Sequence, residues 1–329
     1  MKDLISEYKK PILGLMTLGL ALGLGGCNVY DEAEDCDPVY KVRFIYDWNM
    51  SGGDGFSSQV NSISLWVFDH NTGLLVKKYS DGGVALSKAG YLLELKDLEP
   101  GNYDFIAWGG LEGSKSFIVS SNVSRESDLN VGLITENKDG LNISDSRLSP
   151  LFYGSLDNLT VEDVRGEKIY TVYLMKDTNN INLSLQHISE ETLSAKDFTI
   201  YMVDSNGNLG YDNSLLAGEE IYYYPWSTNS GDINLPGDNL NFLQVELSTS
   251  RLIADRNPVI TILDNETGNT VYTIPIVEWA KKLRSLQHLS MDDQEYLDRE
   301  HEYTVMLYLI DEANGWKATS IIINGFELE

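Results

Sequence analysis

The stretch Ser62-Ile63-Ser64-Leu65-Trp66-Val67-Phe68-Asp69-His70-Asn71-Thr72-Gly73-Leu74-Leu75-Val76 decides the fold. Ile63, Leu65 and Val67 alternate with Ser62, Ser64 and Trp66, the period of a strand with two different faces. The polar run Asp69 to Gly73 then turns the chain into Leu74-Leu75-Val76. An apolar residue, an aspartate, a polar turn, a glycine and a second apolar run predict a β-hairpin. The motif recurs at Val203-Asp204-Ser205-Asn206-Gly207 and at Leu263-Asp264-Asn265-Glu266-Thr267-Gly268. Upstream, Val42, Phe44 and Tyr46 alternate with Arg43, Ile45 and Asp47. Downstream, Leu98-Glu99-Pro100-Gly101-Asn102-Tyr103 leads into a strand from Asp104 to Trp108. Proline second and glycine third predict a type II turn there.

One helix interrupts this pattern. Ile276, Trp279, Ala280, Leu283, Leu286 and Leu289 recur at three- and four-residue spacing, which predicts an amphipathic helix late in the chain. Regularly spaced strands with so little helix point to an all-β chain of two tandem β-sandwich domains. The expected boundaries are 41–175 for the first sandwich and 176–329 for the second, after a strand from Ile169 to Leu174. Glu136 to Leu148 is polar and reads as a long surface loop, and Ser51-Gly52-Gly53-Asp54-Gly55 as a flexible connection.

The N-terminus carries a different signal. Lys2, Lys9 and Lys10 precede an apolar run from Ile12 to Leu24, too short to span a bilayer. Leu24-Gly25-Gly26-Cys27 follows, the pattern of a bacterial lipoprotein signal. The expectation is a signal peptide over 1–26, cleaved before Cys27, with acyl chains such as palmitate attached to that sulfur. Residues 27–40 then form an acidic leash, Asp31-Glu32-Ala33-Glu34-Asp35-Cys36-Asp37 at its centre. The acidic residues resemble a surface-export signal and equally suit plain solubility. With Cys27 lipidated, the second cysteine, Cys36, has no partner within the chain. The net charge of −26 argues against nucleic acid or anionic lipid as electrostatic partners.

Catalytic patterns do not emerge. The four histidines, His70, His187, His288 and His301, stand at no metal-ligand spacing from one another or from cysteine. Nucleophile-elbow, zinc-helix and phosphate-loop motifs are missing from the sequence. Asp204-Ser205-Asn206-Gly207-Asn208 starts like a calcium loop, but Leu209 and Leu215 stand where glycine and glutamate belong. No cofactor, metal or enzymatic activity is expected. Ile221-Tyr222-Tyr223-Tyr224-Pro225-Trp226 suits either a glycan platform or a strand whose alternate aromatics fill the core and cover the outer face; the second fits a sandwich better.

Several segments, in order, resemble the fimbrillin-associated anchor lipoproteins of type V pili. They are Val42-Arg43-Phe44-Ile45-Tyr46-Asp47-Trp48-Asn49-Met50, Trp66-Val67-Phe68-Asp69, the Leu98 to Tyr103 turn leading to Ala107-Trp108-Gly109-Gly110-Leu111, and Leu151-Phe152-Tyr153-Gly154. Leu174-Met175-Lys176-Asp177-Thr178-Asn179, Ser248-Thr249-Ser250-Arg251-Leu252, Asp292 to Glu300 and Ile323-Asn324-Gly325-Phe326 continue the likeness. The resemblance implies transthyretin-like sandwiches, no enzymatic activity, and a lipoprotein at the base of a surface fimbria. Its partners would be fimbrillin or accessory pilus subunits, and the outer membrane through the covalent lipid. The runner-up expectation is a surface or tip adhesin that grips glycan or host protein.

In the fimbrillin family, stalk subunits lose their first strand by proteolysis after an arginine. Here no lysine or arginine lies between Arg43 and Lys77, so the loop from Ser51 to Ser58 offers no basic cleavage site. The expectation is an uncleaved first strand and a cell-surface protein that limits pilus length. A last strand from Thr319 to Phe326, with Ile321, Ile323 and Phe326 as its apolar residues, or an exposed edge, would then pair with a neighbouring subunit.

Overall fold

The computed structural model describes residues 38–187, 193–235, 238–312 and 315–327. In the first half the chain runs β1 (Val39–Trp48), helix α1 (Phe56–Gln59), β2 (Ser62–Asp69), β3 (Leu75–Gly82), β4 (Leu93–Glu94), β5 (Gly101–Gly109), β6 (Phe117–Val119), β7 (Val131–Leu133), β8 (Glu136–Lys138), β9 (Leu141–Ser144), β10 (Phe152–Val161) and β11 (Glu167–Lys176). The second half continues β12 (Thr178–His187), β13 (Phe198–Asp204), β14 (Asn208–Leu209), β15 (Ile221–Tyr223), β16 (Ser227–Leu235), β17 (Asp238–Ser250), β18 (Val259–Asp264) and β19 (Thr270–Pro275). Helices α2 (Ile276–Gln287) and α3 (Asp293–Arg299) follow, then β20 (Glu302–Glu312), β21 (Gly315–Ile323) and β22 (Phe326–Glu327).

A seven-stranded sheet has the order β3-β2-β5-β10-β11-β1-β4. One of its apolar clusters joins Val42 and Phe44 of β1, Leu65 of β2, Phe105 of β5 and Val172 of β11. The intervening residues Trp66, Phe68, Ile106 and Trp108 enter a second cluster, shared with the later strands. Strand β2 is therefore covered on both faces, which is why Trp66 is buried despite its place opposite Val67. Two six-stranded sheets, β16-β17-β12-β20-β21-β22 and β19-β18-β13-β15-β9-β8, make the second sandwich. Its filling alternates along each strand: Ile181, Leu183 and Leu185; Ile200 and Met202; Ile260 and Ile262; Val305, Leu307 and Leu309. The chain is thus all-β, with α2 as the long helix: Ile276, Trp279, Ala280 and Leu283 of the predicted stripe are buried, while Leu286 is exposed and Leu289 lies beyond the helix end at Gln287.

The opening hairpin forms as β2 and β3, from Ser62 opposite Gly82 to Phe68 opposite Leu75. Asp69 Oδ1 accepts from the Thr72 N–H at 2.9 Å and the Thr72 hydroxyl at 2.7 Å. Asp264 does the same work between β18 and β19, taking the Thr267 hydroxyl at 2.8 Å. The motif at Asp204 behaves differently. Strand β13 pairs with β15 and β18, while β14 pairs with β7, so this turn connects sheets rather than hairpin arms.

Three local expectations are corrected. Gly101 opens β5 and takes no positive φ; the left-handed residue is Asp97, at φ 54°. Glycine is needed at 101 because the Tyr103 hydroxyl folds back to donate to the Glu99 carbonyl at 2.9 Å. A Cβ there would lie 2.9 Å from that hydroxyl. Second, Glu136 to Leu148 is no mere loop: β8 and β9 form a hairpin, and β9 runs parallel to β15 of the second sandwich. Third, the glycine-rich connection after β1 is pinned, since Asp54 Oδ1 accepts from the N–H groups of Tyr46 and Phe56 at 3.0 and 2.9 Å.

Candidate functional site

Residues singled out by the sequence fall at the two ends of the chain and at the seam between its halves. Leu24, Gly25, Gly26 and Cys27, with Cys36, fall outside the described residues. The described chain opens almost directly into β1. That strand runs parallel to β11, in register from Val39 opposite Glu167 to Ile45 opposite Tyr173. Tyr40, Val42, Phe44 and Tyr46 point inward and are at most 3 % exposed. Their rings pack on Tyr170, Phe56 and Phe152, the last an edge-on contact at 5.0 Å. The Tyr40 hydroxyl donates to the Glu162 carbonyl at 2.7 Å.

The outer edge of β1 is closed as well. Strand β4 covers Lys41 and Val42, the Leu95 N–H reaches the Tyr40 carbonyl at 2.8 Å, and the Gly55 N–H reaches the Tyr46 carbonyl at 2.8 Å. Burying four such side chains is worth on the order of 6–12 kcal/mol, an upper figure because the unfolded chain is not fully extended. Strand β1 is part of the core and, among the described residues, fills the place beside β11.

At the seam, Asp177 between β11 and β12 is fully buried. Its Oδ1 accepts from Asn213 Nδ2 at 3.0 Å and lies 3.8 Å from Arg251 Nε. Arg251 grips Asp298 of α3 with two bonds of 2.9 and 2.8 Å, the planar fork-on-fork geometry that fixes orientation. It also donates to the Asn213 carbonyl at 2.6 Å. Burial pushes the Asp177 carboxyl up to about 7, against the pull of Arg251. Beside this network the Arg299 guanidinium sits 3.8 Å from the centre of the Trp48 ring, joining α3 to the end of β1. His301 is held neutral by burial, down to about 3, with the Lys176 charge adding to the effect.

The far end is built otherwise. Strand β21 starts at Gly315, before the expected Thr319, and stops at Ile323. Ile321 and Ile323 are buried in the second core. Asn324 and Gly325 both take positive φ, 46° and 83°, the backbone of a two-residue hairpin turn. Asn324 is clamped to β20 by two bonds with the Thr304 backbone, each 2.8 Å. Phe326 follows on β22, a two-residue edge strand, and is 37 % exposed.

The other singled-out residues are placed as follows. Ile221 and Tyr223 face the core while Tyr222 and Tyr224 flank Tyr201 on the outer face, at 5.9 and 5.8 Å. Asn206 of the calcium-like segment turns inward, donating to Thr249, Ser250 and Arg251 and accepting from the Tyr223 hydroxyl at 2.6 Å. Asp204 pairs with Arg256. His70 Nδ1 lies 2.9 Å from both carboxylate oxygens of Asp104. Glu126 shares a hydrogen bond with Asp104, and burial first, then that bond, pushes its carboxyl up to about 7. The group pins the tip of the first hairpin. The seam network was missed by sequence reading, since Asp177, Asn213, Arg251 and Asp298 are scattered through the chain.

The family of Fimbrillin-A associated anchor proteins Mfa1 and Mfa2 matches residues 33–329 of the chain. No curated protein matches it. A candidate adhesin from Bacteroides thetaiotaomicron superposes with a TM-score of 0.79 at 32 % identity, over 89 % of this chain and 98 % of its own. A candidate polysaccharide-binding protein from the same organism superposes at 0.75 with 29 % identity, over 89 % and 98 %. The fimbrial anchor protein Mfa2 from Porphyromonas gingivalis shares the fold, with a TM-score of 0.64 at 16 % identity over 89 % and 99 %. With the family model matching residues 33–329, the chain belongs to the Fimbrillin-A associated anchor family.

Proposed function

We propose that this protein is the lipid-tethered root of a surface fimbria: acyl chains on Cys27 hold it in the outer membrane, and a fimbrillin or accessory subunit pairs with its exposed edge. The single observation that carries the reading is β1, buried on its inward face and hydrogen-bonded along both edges. Whatever precedes Val39 stays mechanically continuous with the core, and the seam at Trp48, Arg299, Arg251 and Asp298 passes load to the second sandwich. A non-catalytic role accompanies this reading. Two or more acyl chains hold a membrane stably where one does not. Cys27→Ser is expected to release the protein from the membrane fraction; retention of the variant there would refute the lipid anchor.

A second reading, a glycan-binding adhesin, draws support from the two Bacteroides relatives, one a candidate adhesin and the other a candidate polysaccharide-binding protein, and from the outward row Tyr201, Tyr222 and Tyr224. Glycan-array binding lost on Tyr222→Ala, with fimbriae still attached, would favour it.

A further inference from the structure

A cleft of about 550 Å³ opens at the seam, lined by Gln59, Arg147, Lys176, Thr178, Asn180 and Glu302 among others. Its charge is opposite to that of the molecule. In a chain of net charge −26, two cations face the cleft against the single carboxylate of Glu302. Lys176 ends β11 and is only 9 % exposed, yet its nearest ionic partner among the described residues, Glu302 Oε1, is 3.9 Å from Nζ. That distance is too long for a hydrogen bond, and Glu302 Oε1 already accepts from Asn180 Nδ2 at 2.8 Å. The Glu302 side chain is 68 % exposed, so water screens much of its attraction. The Lys176 stem is buried, and its ammonium opens on the cleft with one distant, solvated ionic partner among the described residues. Burial lowers the pKa of Lys176; Glu302 works the other way, and Arg147 adds to the lowering.

Arg147 makes no ion pair among the described residues. Its guanidinium carbon lies 5.2 Å from the centre of the Trp226 ring, a cation–π contact that steadies an otherwise exposed side chain at the cleft wall. The remaining lining is mostly hydroxyl and amide, from Ser58, Gln59, Thr178 and Asn180. That combination suits a ligand with a carboxylate and many hydroxyls. The cleft is far larger than an inorganic anion needs and offers little apolar surface for peptide side chains, Leu148 and Pro150 aside.

We propose that this cleft binds an acidic saccharide, its carboxylate set between Lys176 and Arg147 and its hydroxyls on Gln59, Thr178 and Asn180. The site is distinct from the outward tyrosine row and stands whether or not the protein roots a fimbria.

The test is calorimetric titration of the detergent-solubilised full chain with oligogalacturonate and with an N-acetylneuraminate oligosaccharide, each against its neutral methyl ester. At least one acid form should bind, with its ester about tenfold weaker or worse, and binding should weaken as NaCl rises from about 50 to about 500 mM. Arg147→Ala, on the surface and harmless to folding, should cost about tenfold; Lys176→Met should cost at least as much, and Glu302→Gln should tighten binding a few-fold. No binding of either acid, equal binding of acid and ester, unchanged binding in Arg147→Ala, or equally tight binding of an oligo-aspartate peptide would overturn the proposal.

Discussion

Strands β1 and β22 open and close the described fold, and they sit in it in opposite ways. Strand β1 has a parallel neighbour on one side, β4 and the Asp54–Gly55 turn on the other, and four aromatic or branched side chains in the core. Strand β22 is two residues long, pairs among the described residues only with Ile322 and Ile323, and leaves Phe326 more than a third exposed. Its outer edge has no strand beside it in the sheet order. An open edge with an apolar side chain is where another chain adds a strand; a closed, buried strand is where a tether can be pulled without pulling the strand out. In the proposed function the first end is the root and the second the socket; the difference lies in edge pairing, not in composition.

The sharpest way to break this contrast is to weaken β1. Phe44→Ala should cost about 3–5 kcal/mol of stability by chemical denaturation, whereas Arg43→Ala, exposed on the same strand, should stay within about 0.5 kcal/mol. Equal effects would mean that β1 is not seated as described. The seam is next. Asp177 ionises at about 7 in the fold against 3.8 ordinarily. The neutral form is favoured by folding, so this stabilising term is present below the ordinary value and is lost as pH rises through the folded one. Asp177→Asn removes that loss; relative to the variant, the wild type should decline by roughly 2 kcal/mol between about pH 5 and pH 8. A parallel pH dependence of the two would contradict the assignment.

Smaller effects belong to the open end. Gly325→Ala forces a side chain into φ 83° and should cost about 1 kcal/mol, detaching β22 while leaving Ile321 and Ile323 in the core. Phe326→Ala should change stability by less than about 1 kcal/mol and yet reduce the number of fimbriae retained on cells. Retention equal to wild type in both variants would move the subunit contact away from this edge.

How much of this could be read from residues alone depends on the range of the interaction. The β2–β3 hairpin and α2 rest on local periodicity and turn chemistry, and both stand where the sequence puts them. Helix α3 escaped notice although it carries a local signal, Asp292 accepting from the Glu295 N–H at 2.8 Å as its cap. The β8–β9 hairpin is hard to read because β8 is polar and exposed at the sheet edge and β9 carries only Leu141 and Ile143 as apolar residues; its turn, Asp139-Gly140, is the available clue. Pairing between β1 and β11, more than a hundred residues apart in sequence, leaves no mark in either strand's alternation. The cleft and the Asp177 network have the same character: each ordinary residue gains its meaning from partners that only the fold supplies.

The most direct test of the root-and-socket account is the N-terminus of the protein purified from the cell surface, read by intact mass and peptide sequencing. The expected result is one mature form that begins at an acylated Cys27 and retains β1. A form that begins beyond Trp48, with β1 cut away, would contradict it.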